Sequence, residues 1–327
     1  MRRIPSTARA ATDASQMVQI PGGRFAMGSE NFYPEESPIR QVCIDPFLID
    51  RAPVTNAQFA LFVESTGHVT EAEIAPDPRQ YPGMDPALAQ PGSLVFHPTK
   101  GPVPPGAVHL WWQFVPGADW QHPLGPESDL SSLADHPVVH IAFGDARAYA
   151  RWAGKRLPTE AEWEFAARGG LDGADYAWGD ALAPGGKMLA NYWQGAFPHD
   201  NRLTDGWLRT SPVGSFPANS YGLVDMIGNV WEWTSDWWAE ARNLPAPPQA
   251  CCTLDNPRGG VLRHSFDPAM PDIRIGRKVV KGGSHLCAES YCRRYRPAAR
   301  HPEMIDTSTS HIGFRCASDM PKTGKRR

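Results

Sequence analysis

Hydrophobic and polar positions alternate in several short runs, a pattern typical of half-buried β-strands. The runs are separated by turns rich in glycine and proline, so the strands that they predict are short as well. We expect strands at residues 20–27, 42–49, 136–143, 231–233, 277–281 and 312–316.

Other segments have apolar residues three and four positions apart, which is the spacing of one face of a helix. Two of these helices should begin at a capping box, in which a Thr is followed three residues later by Glu or Gln. The two boxes are Thr55 with Gln58 and Thr159 with Glu162. Between them, Asp145 is placed to cap a helix over residues 146–154.

Residues 71–136 have no such period, and we interpret them as a long ordered loop anchored by tryptophans. The chain has 30 glycines and 33 prolines among 327 residues, which excludes a helical bundle or a coiled coil. Its 41% of hydrophobic residues and 12 tryptophans are too much apolar material for a disordered chain. We expect one loop-rich domain over residues 17–320, with a disordered tail at 1–16 and a basic tail at 321–327.

The net charge of −3 and the pI of about 6.4 give no general attraction for nucleic acid or for an anionic membrane surface. No run approaches the roughly 18 apolar residues that can span a bilayer. We therefore expect neither nucleic acid nor a membrane as a partner. Six cysteines in this length do not indicate a disulfide scaffold, so we expect a cytoplasmic protein with mostly reduced thiols, and a monomer.

Cys287 and Cys292 follow the turn-forming pair Gly282 and Gly283 and precede four arginines within residues 293–300. Two soft thiolates with few other ligands suit monovalent copper better than magnesium, calcium or manganese. Zinc is an alternative, although no second Cys or His pair is visible, and so are two ordinary half-buried cysteines or an adventitious disulfide. The arginines could lower the pKa of the thiols or simply form a solvated basic face. The spacing leaves these alternatives open.

A second cluster is rich in oxygen donors, namely Asn191, Asp205, Asp225 and Glu232. These side chains fall in predicted turns, where backbone carbonyls also face outward, and such a donor set suits calcium. The spacing is not that of an EF-hand. Helix-capping and Asx-turn roles are the alternative for the same residues.

The sequence lacks the defining motifs of several common enzyme classes. It has no GxSxG elbow, no Walker A loop and no dinucleotide-binding fingerprint. His136 and His140 have the four-residue spacing of some zinc ligands, but Pro137 interrupts the helix that such a site needs. We expect these two histidines in the core.

Several longer motifs together resemble the formylglycine-generating enzyme, or sulfatase-modifying factor, family. They include GRFAMGS, PVTNAQFALFV, HPVVHIAFGDARAYARWAGKRLPTEAEWEFAARGG, ANYWQGAFP, YGLVDMIGNVWEWTSDWW, KGGSHLCAESYCRRYRPAAR and HIGFRC. Most of these motifs are shared across the superfamily and imply only the fold, an α+β domain resembling C-type lectins with little regular secondary structure. The block with the two cysteines is more specific to the enzymes that generate formylglycine.

The resemblance implies an oxidase that uses molecular oxygen to convert the cysteine of a sulfatase Cys-x-Pro-x-Arg motif to Cα-formylglycine. Its substrate would be an unfolded or nascent sulfatase polypeptide. By motif match, Cys287 and Cys292 would bind Cu(I), and the substrate thiol would supply a third thiolate. Ser284 and Trp231 match family positions that line the reactive pocket, although Ser284 could serve only the turn and Trp231 only the core.

The resemblance also implies two structural calcium sites. One would consist of the side chains of Asn191 and Asp205 with the carbonyls of Tyr192 and Trp207. The other would consist of the side chains of Asp225 and Glu232 with the carbonyls of Gly228 and Val230.

Some positions depart from the family pattern. Ala150, Ala167 and Pro297 stand where secreted eukaryotic relatives have cysteines, which fits a reducing compartment. His285 replaces an aromatic residue common before the first active-site cysteine, which could affect substrate fit or the copper site.

Two alternatives share the fold. One is a non-haem iron enzyme similar to the sulfoxide synthases, whose usual N-terminal iron-binding domain has no room in the sixteen-residue tail. The other is a non-catalytic lectin-like binding module, which predicts that mutating Cys287 or Cys292 leaves function intact. The sequence leaves open the sulfatase client, the physiological reductant and any role of Cys251 and Cys252.

Overall fold

The computed structural model describes residues 17–104, 106–240, 243–244 and 253–321. The predicted tails, apart from residue 321, and the Cys251–Cys252 pair lie outside these residues. In the described part, short strands and single turns of 3₁₀ helix are connected by long irregular segments, with only three α-helices.

Twelve strands form four small sheets within the described residues. The first sheet contains β1 (Met17–Ile20), β4 (Phe47–Asp50) and β12 (Ala317–Asp319), in that order, and so joins the two ends of the domain. The second contains β2 (Gly23–Met27), β3 (Arg40–Ile44) and β8 (Leu254–Asp255).

The third sheet carries the residues of most interest. Its order is β10 (Arg300–Met304), β9 (Arg277–Lys281), β7 (Trp231–Trp237) and β11 (Ile312–Gly313). Strand β9 is antiparallel to both neighbours, and β11 pairs with the start of β7 in parallel. The fourth sheet is a hairpin of β5 (Gly92–Phe96) and β6 (Trp112–Pro116).

Both predicted capping boxes are confirmed. Helix α1 (Asn56–Thr66) begins at Thr55 and α3 (Glu160–Arg168) begins at Thr159, each with the reciprocal bonds of a capping box. Both helices end at a glycine in the left-handed conformation, Gly67 and Gly169. The sequence placed these helices well because their start and stop signals are local.

Helix α2 (Phe143–Trp152) begins earlier than predicted. Asp145 lies inside the first turn, and its carboxylate reaches back 3.0 Å to accept a hydrogen bond from the backbone N–H of Ala142. Asp145 therefore does serve the helix start, but from the third helical position and not as the N-cap residue.

Several predicted strands were wrong in extent. Residues 42–49 contribute to two strands of different sheets, because the chain turns at Asp45 and Pro46. Residues 136–143 form no strand, since His140 has a φ of 60° that extended pairing does not allow. The strand expected at 312–316 is limited to β11.

The interpretation of residues 71–136 as one loop was also incomplete. This segment contains the β5–β6 hairpin. A long connection separates its two strands, so the sequence has no tight-turn signal between them. Strand β10 was not predicted either, because it contains a proline and charged residues. It is an edge strand, where proline is tolerated.

The main hydrophobic core is built largely from aromatic side chains. Trp163 of α3 and Trp233 of β7 are fully buried and lie in one apolar cluster with residues of the other sheets. A smaller cluster contains Phe96, Trp111 and Trp193 and lies beside Leu286 and Ala288 of the cysteine block. Among the described residues, no helix has the length and apolar character needed to cross a bilayer.

Candidate active site

The cysteine block begins where β9 ends, at Gly282 and Gly283. Both glycines have positive φ, +93° and +68°, so the chain can turn sharply into the block. A Cβ atom on Gly283 would lie 2.7 Å from the carbonyl carbon and oxygen of Arg294. The two limbs of the block therefore touch through backbone at this point, which fixes the position of the residues between them.

Cys287 and Cys292 face each other inside the block. Their Sγ atoms are 3.3 Å apart, and both thiols are free. The Cys292 N–H donates to the carbonyl of Ala288 at 2.8 Å, a helix-like turn that brings the second thiol back over the first. The pairing suggested by sequence spacing is thus present in the fold.

The two thiols have different electrostatic environments. The Cys287 thiol donates to Cys292, and this hydrogen bond, with the nearby Arg294 guanidinium, lowers the pKa of Cys292. Burial raises the pKa of Cys287, which is only 2% exposed. Of the two thiols, Cys292 is therefore the one that ionises more readily.

Two further donors point at the pair. The Ser284 N–H lies 3.4 Å from Cys287 Sγ, and Arg294 Nη1 lies 3.8 Å from Cys292 Sγ. A backbone dipole and a guanidinium both favour negative charge on sulfur. These two donors offset part of the cost of burying negative charge on sulfur.

The pair forms part of the wall of a cavity of about 510 Å³. All four residues predicted for the reactive site, Cys287, Cys292, Ser284 and Trp231, line it. Trp231 starts β7 and is 5% exposed, and its backbone N–H donates to the carbonyl of His311 at 2.9 Å. Ser284 is fully buried, and its Oγ accepts from the Leu286 N–H at 3.2 Å, so its hydroxyl also serves the turn.

The sequence missed several residues that line the same cavity. Tyr291 lies between the two cysteines in sequence, whereas His301 and Glu303 come from β10 and His311 precedes β11. His301 and Glu303 are two positions apart and so share one side of the strand. This two-residue spacing could have indicated that the two side chains lie together, but only if β10 had been predicted. Burial raises the pKa of Glu303 to about 7.

The donor chemistry at the pair fits a soft monovalent metal. Within the described residues, no three His, Cys, Asp or Glu side chains are grouped so that they could hold a metal ion together. The pair thus offers two sulfur ligands and an open cavity, which suits a low-coordinate Cu(I) ion better than a four-ligand zinc site. It also offers no iron triad of two histidines and a carboxylate in the described part of the chain.

The fold places Asp205 of the first predicted calcium cluster against the backbone N–H groups of Tyr192 and Trp207. Asp205 accepts hydrogen bonds from the N–H groups of Tyr192 at 3.0 Å and Trp207 at 2.9 Å, and the nearby Asn191 donates to the Arg209 carbonyl at 2.8 Å. Burial raises the pKa of Asp205, and no ion pair in the described chain includes it. Asp205 is thus a half-buried carboxylate without a cationic side-chain partner in the described chain, a setting in which a cation would be tolerated.

One residue of this cluster was not anticipated. The side-chain amide of Gln194 contacts both the carbonyl of Tyr192 and, at 2.7 Å, the carboxylate of Asp205. Gln194 therefore bridges two of the predicted ligands through its NH₂ group, while its Oε1 accepts a hydrogen bond from the Asp205 N–H at 3.1 Å.

The second predicted cluster is divided between two roles. Asp225 is buried, which raises its pKa to about 6, and its carboxylate accepts from the Gly214 N–H at 2.6 Å. Glu232 instead forms a fully buried ion pair with Arg315 at 2.7 Å and accepts from the indole of Trp163 at 2.7 Å. Asp225 is thus the carboxylate left for a cation, with the carbonyls of Gly228 and Val230 in the same loop.

The histidines outside the cavity have structural roles. His140 is fully buried, its Nε2–H donates to the carbonyl of Pro123 at 2.9 Å, and its Nδ1 lies 2.7 Å from Ser93 Oγ. His136 is also buried, so the core role predicted for this pair is confirmed. His285 donates from Nδ1 to the Asn229 carbonyl at 2.8 Å, and its buried Nε2 has no partner among the described residues.

Comparison with known proteins gives the family. A domain described as "Sulfatase-modifying factor enzyme 1-like domain" matches residues 3–320. The chain belongs to this family. A protein of Mycobacterium tuberculosis named "Formylglycine-generating enzyme" is 54% identical over 305 residues, covering 93% of this chain and 98% of the relative.

The chain is also similar to a relative with a different name and, in fold, to a more distant solved structure. A mouse protein named "Inactive C-alpha-formylglycine-generating enzyme 2" is 37% identical over 318 residues, covering 92% of this chain and 85% of the relative. The structure of PvdO from Pseudomonas aeruginosa has a TM-score of 0.57 at 23% identity and covers 93% of this chain and 94% of PvdO. The loop-rich α+β fold of this family, expected from the sequence motifs, is confirmed.

Proposed function

We propose that this protein is a copper-dependent oxidase that converts the cysteine of a sulfatase Cys-x-Pro-x-Arg motif to Cα-formylglycine with molecular oxygen. The observation that carries the proposal is the pair of free thiols, 3.3 Å apart, in the wall of a cavity large enough for a peptide side chain. The 54% identity to a relative named as a formylglycine-generating enzyme supports the same reaction.

The reaction balances with a two-electron reductant. The methylene thiol of a cysteine side chain, with one molecule of oxygen, two electrons and two protons, gives an aldehyde, one hydrogen sulfide and one water. The C–S bond breaks and a C=O bond forms, so the β-carbon is oxidised and both oxygen atoms are reduced. We propose an external thiol as the electron donor, which becomes a disulfide.

The residues of the cavity have separate roles in this reaction. Cys287 and Cys292 would hold Cu(I), which would supply the redox chemistry that molecular oxygen requires. The Ser284 N–H and Arg294 hold negative charge on the two sulfurs. Trp231 forms an apolar wall that limits access of bulk water, and the Ser284 hydroxyl is fixed by the turn beside the pair.

Glu303 is placed to exchange protons with what enters the cavity. Its raised pKa, about 7, allows a carboxyl group to take a proton near neutral pH and return it. An incoming substrate thiol must lose its proton to become a thiolate, and reduction of oxygen to water consumes protons. Glu303 lines the same cavity as both cysteines.

The test is conversion of a synthetic Cys-x-Pro-x-Arg peptide by copper-loaded protein with oxygen and a thiol reductant, followed by mass spectrometry. We expect the aldehyde product from wild type and none from Cys287→Ala or Cys292→Ala. Cys43→Ala is the matched control, because Cys43 is a half-buried free thiol on β3, outside the cavity. An unchanged peptide with wild type, in an assay where a known active preparation converts it, would refute the proposal.

The same assay separates the alternatives. A lectin-like or inactive member of the family would bind partners without converting the peptide, and loss of either cysteine would leave that binding intact. An iron enzyme would be restored by Fe(II) and not by Cu(I) after metal removal. Calcium at the clusters around Asp205 and Asp225 is part of the proposal as a structural ion. Cytoplasmic location and a monomeric state stay predictions.

A further inference from the structure

We infer that Glu35 is a positioning residue for the candidate copper site and acts through Arg294. This inference rests on the proposed function, because it assigns a role toward Cu(I). Glu35 lies in the short segment Phe32–Glu36, which we call the strap, and this segment crosses the cysteine block from 259 positions away in sequence.

The strap contacts the arginine-rich part of the block through several independent interactions. The Tyr33 hydroxyl accepts a hydrogen bond from the backbone N–H of Arg293 at 2.9 Å. The guanidinium of Arg296 lies 3.7 Å from the centroid of the Phe32 ring and pairs with Glu36, with Nη1 2.8 Å from Oε2. The Arg296–Glu36 pair is almost completely buried, so it fixes the strap firmly against the block.

Arg294 is held on two sides by the same strap. Its Nη2 and Nε donate to Glu35 Oε1 at 2.5 and 3.2 Å, and its guanidinium lies 3.9 Å from the centroid of the Tyr33 ring. These contacts leave Nη1 directed at Cys292 Sγ, 3.8 Å away. Glu35 thus determines the direction of a charged donor whose other end reaches the sulfur pair.

Arg294 also stands between two cavities. It lines the cavity of the cysteines, and with His301 it lines a second cavity of about 590 Å³ on the side of Glu35. Without Glu35, the flexible side chain could swing into that second space. Glu35 therefore holds Arg294 toward Cys292 although there is space for its side chain on the other side, as expected of a positioning contact.

The charge of the proposed metal complex explains why the contact between Glu35 and Arg294 would matter. Cu(I) with two protein thiolates and one substrate thiolate carries a net charge of −2, which a largely buried site tolerates poorly. A guanidinium directed at Cys292 offsets part of that charge. Residues that orient or support metal ligands typically contribute about 10–100-fold to metal affinity or activity.

The decisive experiment is a double-mutant cycle read out by Cu(I) affinity, measured anaerobically by competition with a chromophoric Cu(I) chelator. We expect Glu35→Gln to weaken Cu(I) binding about 10-fold and Arg294→Ala about 100-fold. The double variant should match Arg294→Ala, since Glu35 acts only through Arg294. Glu35→Asp should recover part of the affinity.

Controls separate positioning from general destabilisation. Asp77→Asn breaks a matched but exposed carboxylate–arginine pair, Asp77 with Arg79 at 2.7 Å, and should leave Cu(I) affinity unchanged. Thermal unfolding of every variant shows whether it is folded at the titration temperature. With Cu(I) saturating, Glu35→Gln should lower kcat more than it changes the KM for the peptide.

The outcomes are distinct. Wild-type Cu(I) affinity in Glu35→Gln, or an equal further loss when Glu35→Gln is added to Arg294→Ala, overturns the inference while the proposed function stands. If wild type itself binds no Cu(I) and converts no peptide, the proposed function fails and this inference fails with it.

Discussion

The buried ion pair between Glu232 and Arg315 allows a sharp test of how this loop-rich fold is held together. Replacing Glu232 by Gln keeps the shape of the side chain but removes its charge. Both partners are at most 1% exposed, so water cannot replace the lost interaction. Arg315 would keep its bonds to the carbonyls of Val224 and Asp225 but would be left as a buried charge without a counter-ion.

The expected loss follows from that burial. Removing one partner of a buried pair typically costs about 3–5 kcal/mol, because the remaining charge stays desolvated. For a chain of this length, an unfolding entropy of about 2.1 cal/mol/K per residue converts this to a decrease in Tm of about 4–7 °C. The new amide would also direct a donor at Arg315 or at the Trp163 indole, which is itself a donor.

The assay is thermal unfolding of wild type and Glu232→Gln, each with calcium and with EGTA. We expect the same decrease in Tm in both conditions, because the loss comes from the ion pair. If the decrease occurs only with calcium present, Glu232 acts mainly as a calcium ligand and the reasoning fails. A decrease below about 1 °C in both conditions would show that Arg315 is compensated by another group.

Three further predictions concern the site and its supports. Gly283→Ala should abolish Cu(I) binding and lower the Tm, because the new Cβ would meet the Arg294 backbone. Gly173 has a similar positive φ but open space where a Cβ would lie, so Gly173→Ala should cost only backbone strain. Equal effects of the two variants would refute the steric argument. Burial lowers the pKa of His140 to about 4, so its contribution of about 3 kcal/mol to the free energy of unfolding is present above pH 6.5 and is lost as pH falls toward 4. The variant His140→Gln should therefore flatten the pH dependence of Tm in that range, and an unchanged slope would contradict this. EGTA should lower the Tm of wild type but have a smaller effect on Asp205→Asn, and equal effects would place the calcium elsewhere.

The sequence predicted some features of this fold well and others poorly, for reasons that individual residues make clear. Thr55 and Thr159 marked their helices because a capping box involves only residues three positions apart. The strand expected at residues 136–143 was wrong, because His140 adopts a positive φ that is supported by contacts with Ser93 and Pro123. Those contacts come from segments that are distant in sequence, so no local pattern could indicate them.

The candidate site shows the same division. Cys287 and Cys292 were found from the sequence because they lie in one short block whose composition limits its chemistry. Arg294 was noticed only as one of several arginines, and its direction toward Cys292 depends on Glu35. The sequence contains no sign of that contact, since ion pairs between distant segments form only when the fold brings them together.

By itself, the sequence determined which two cysteines form the candidate site, the starts and ends of two helices, and the α+β family fold. The tertiary structure decided which residues share the cavity and which carboxylates keep their charge available for a cation. Asp225 and Glu232 illustrate the difference. Arg315 pairs with Glu232, whereas Asp225 is buried without an ion-pair partner in the described chain. In a fold held by irregular loops, such choices depend on long-range side-chain contacts, which have no period along the chain.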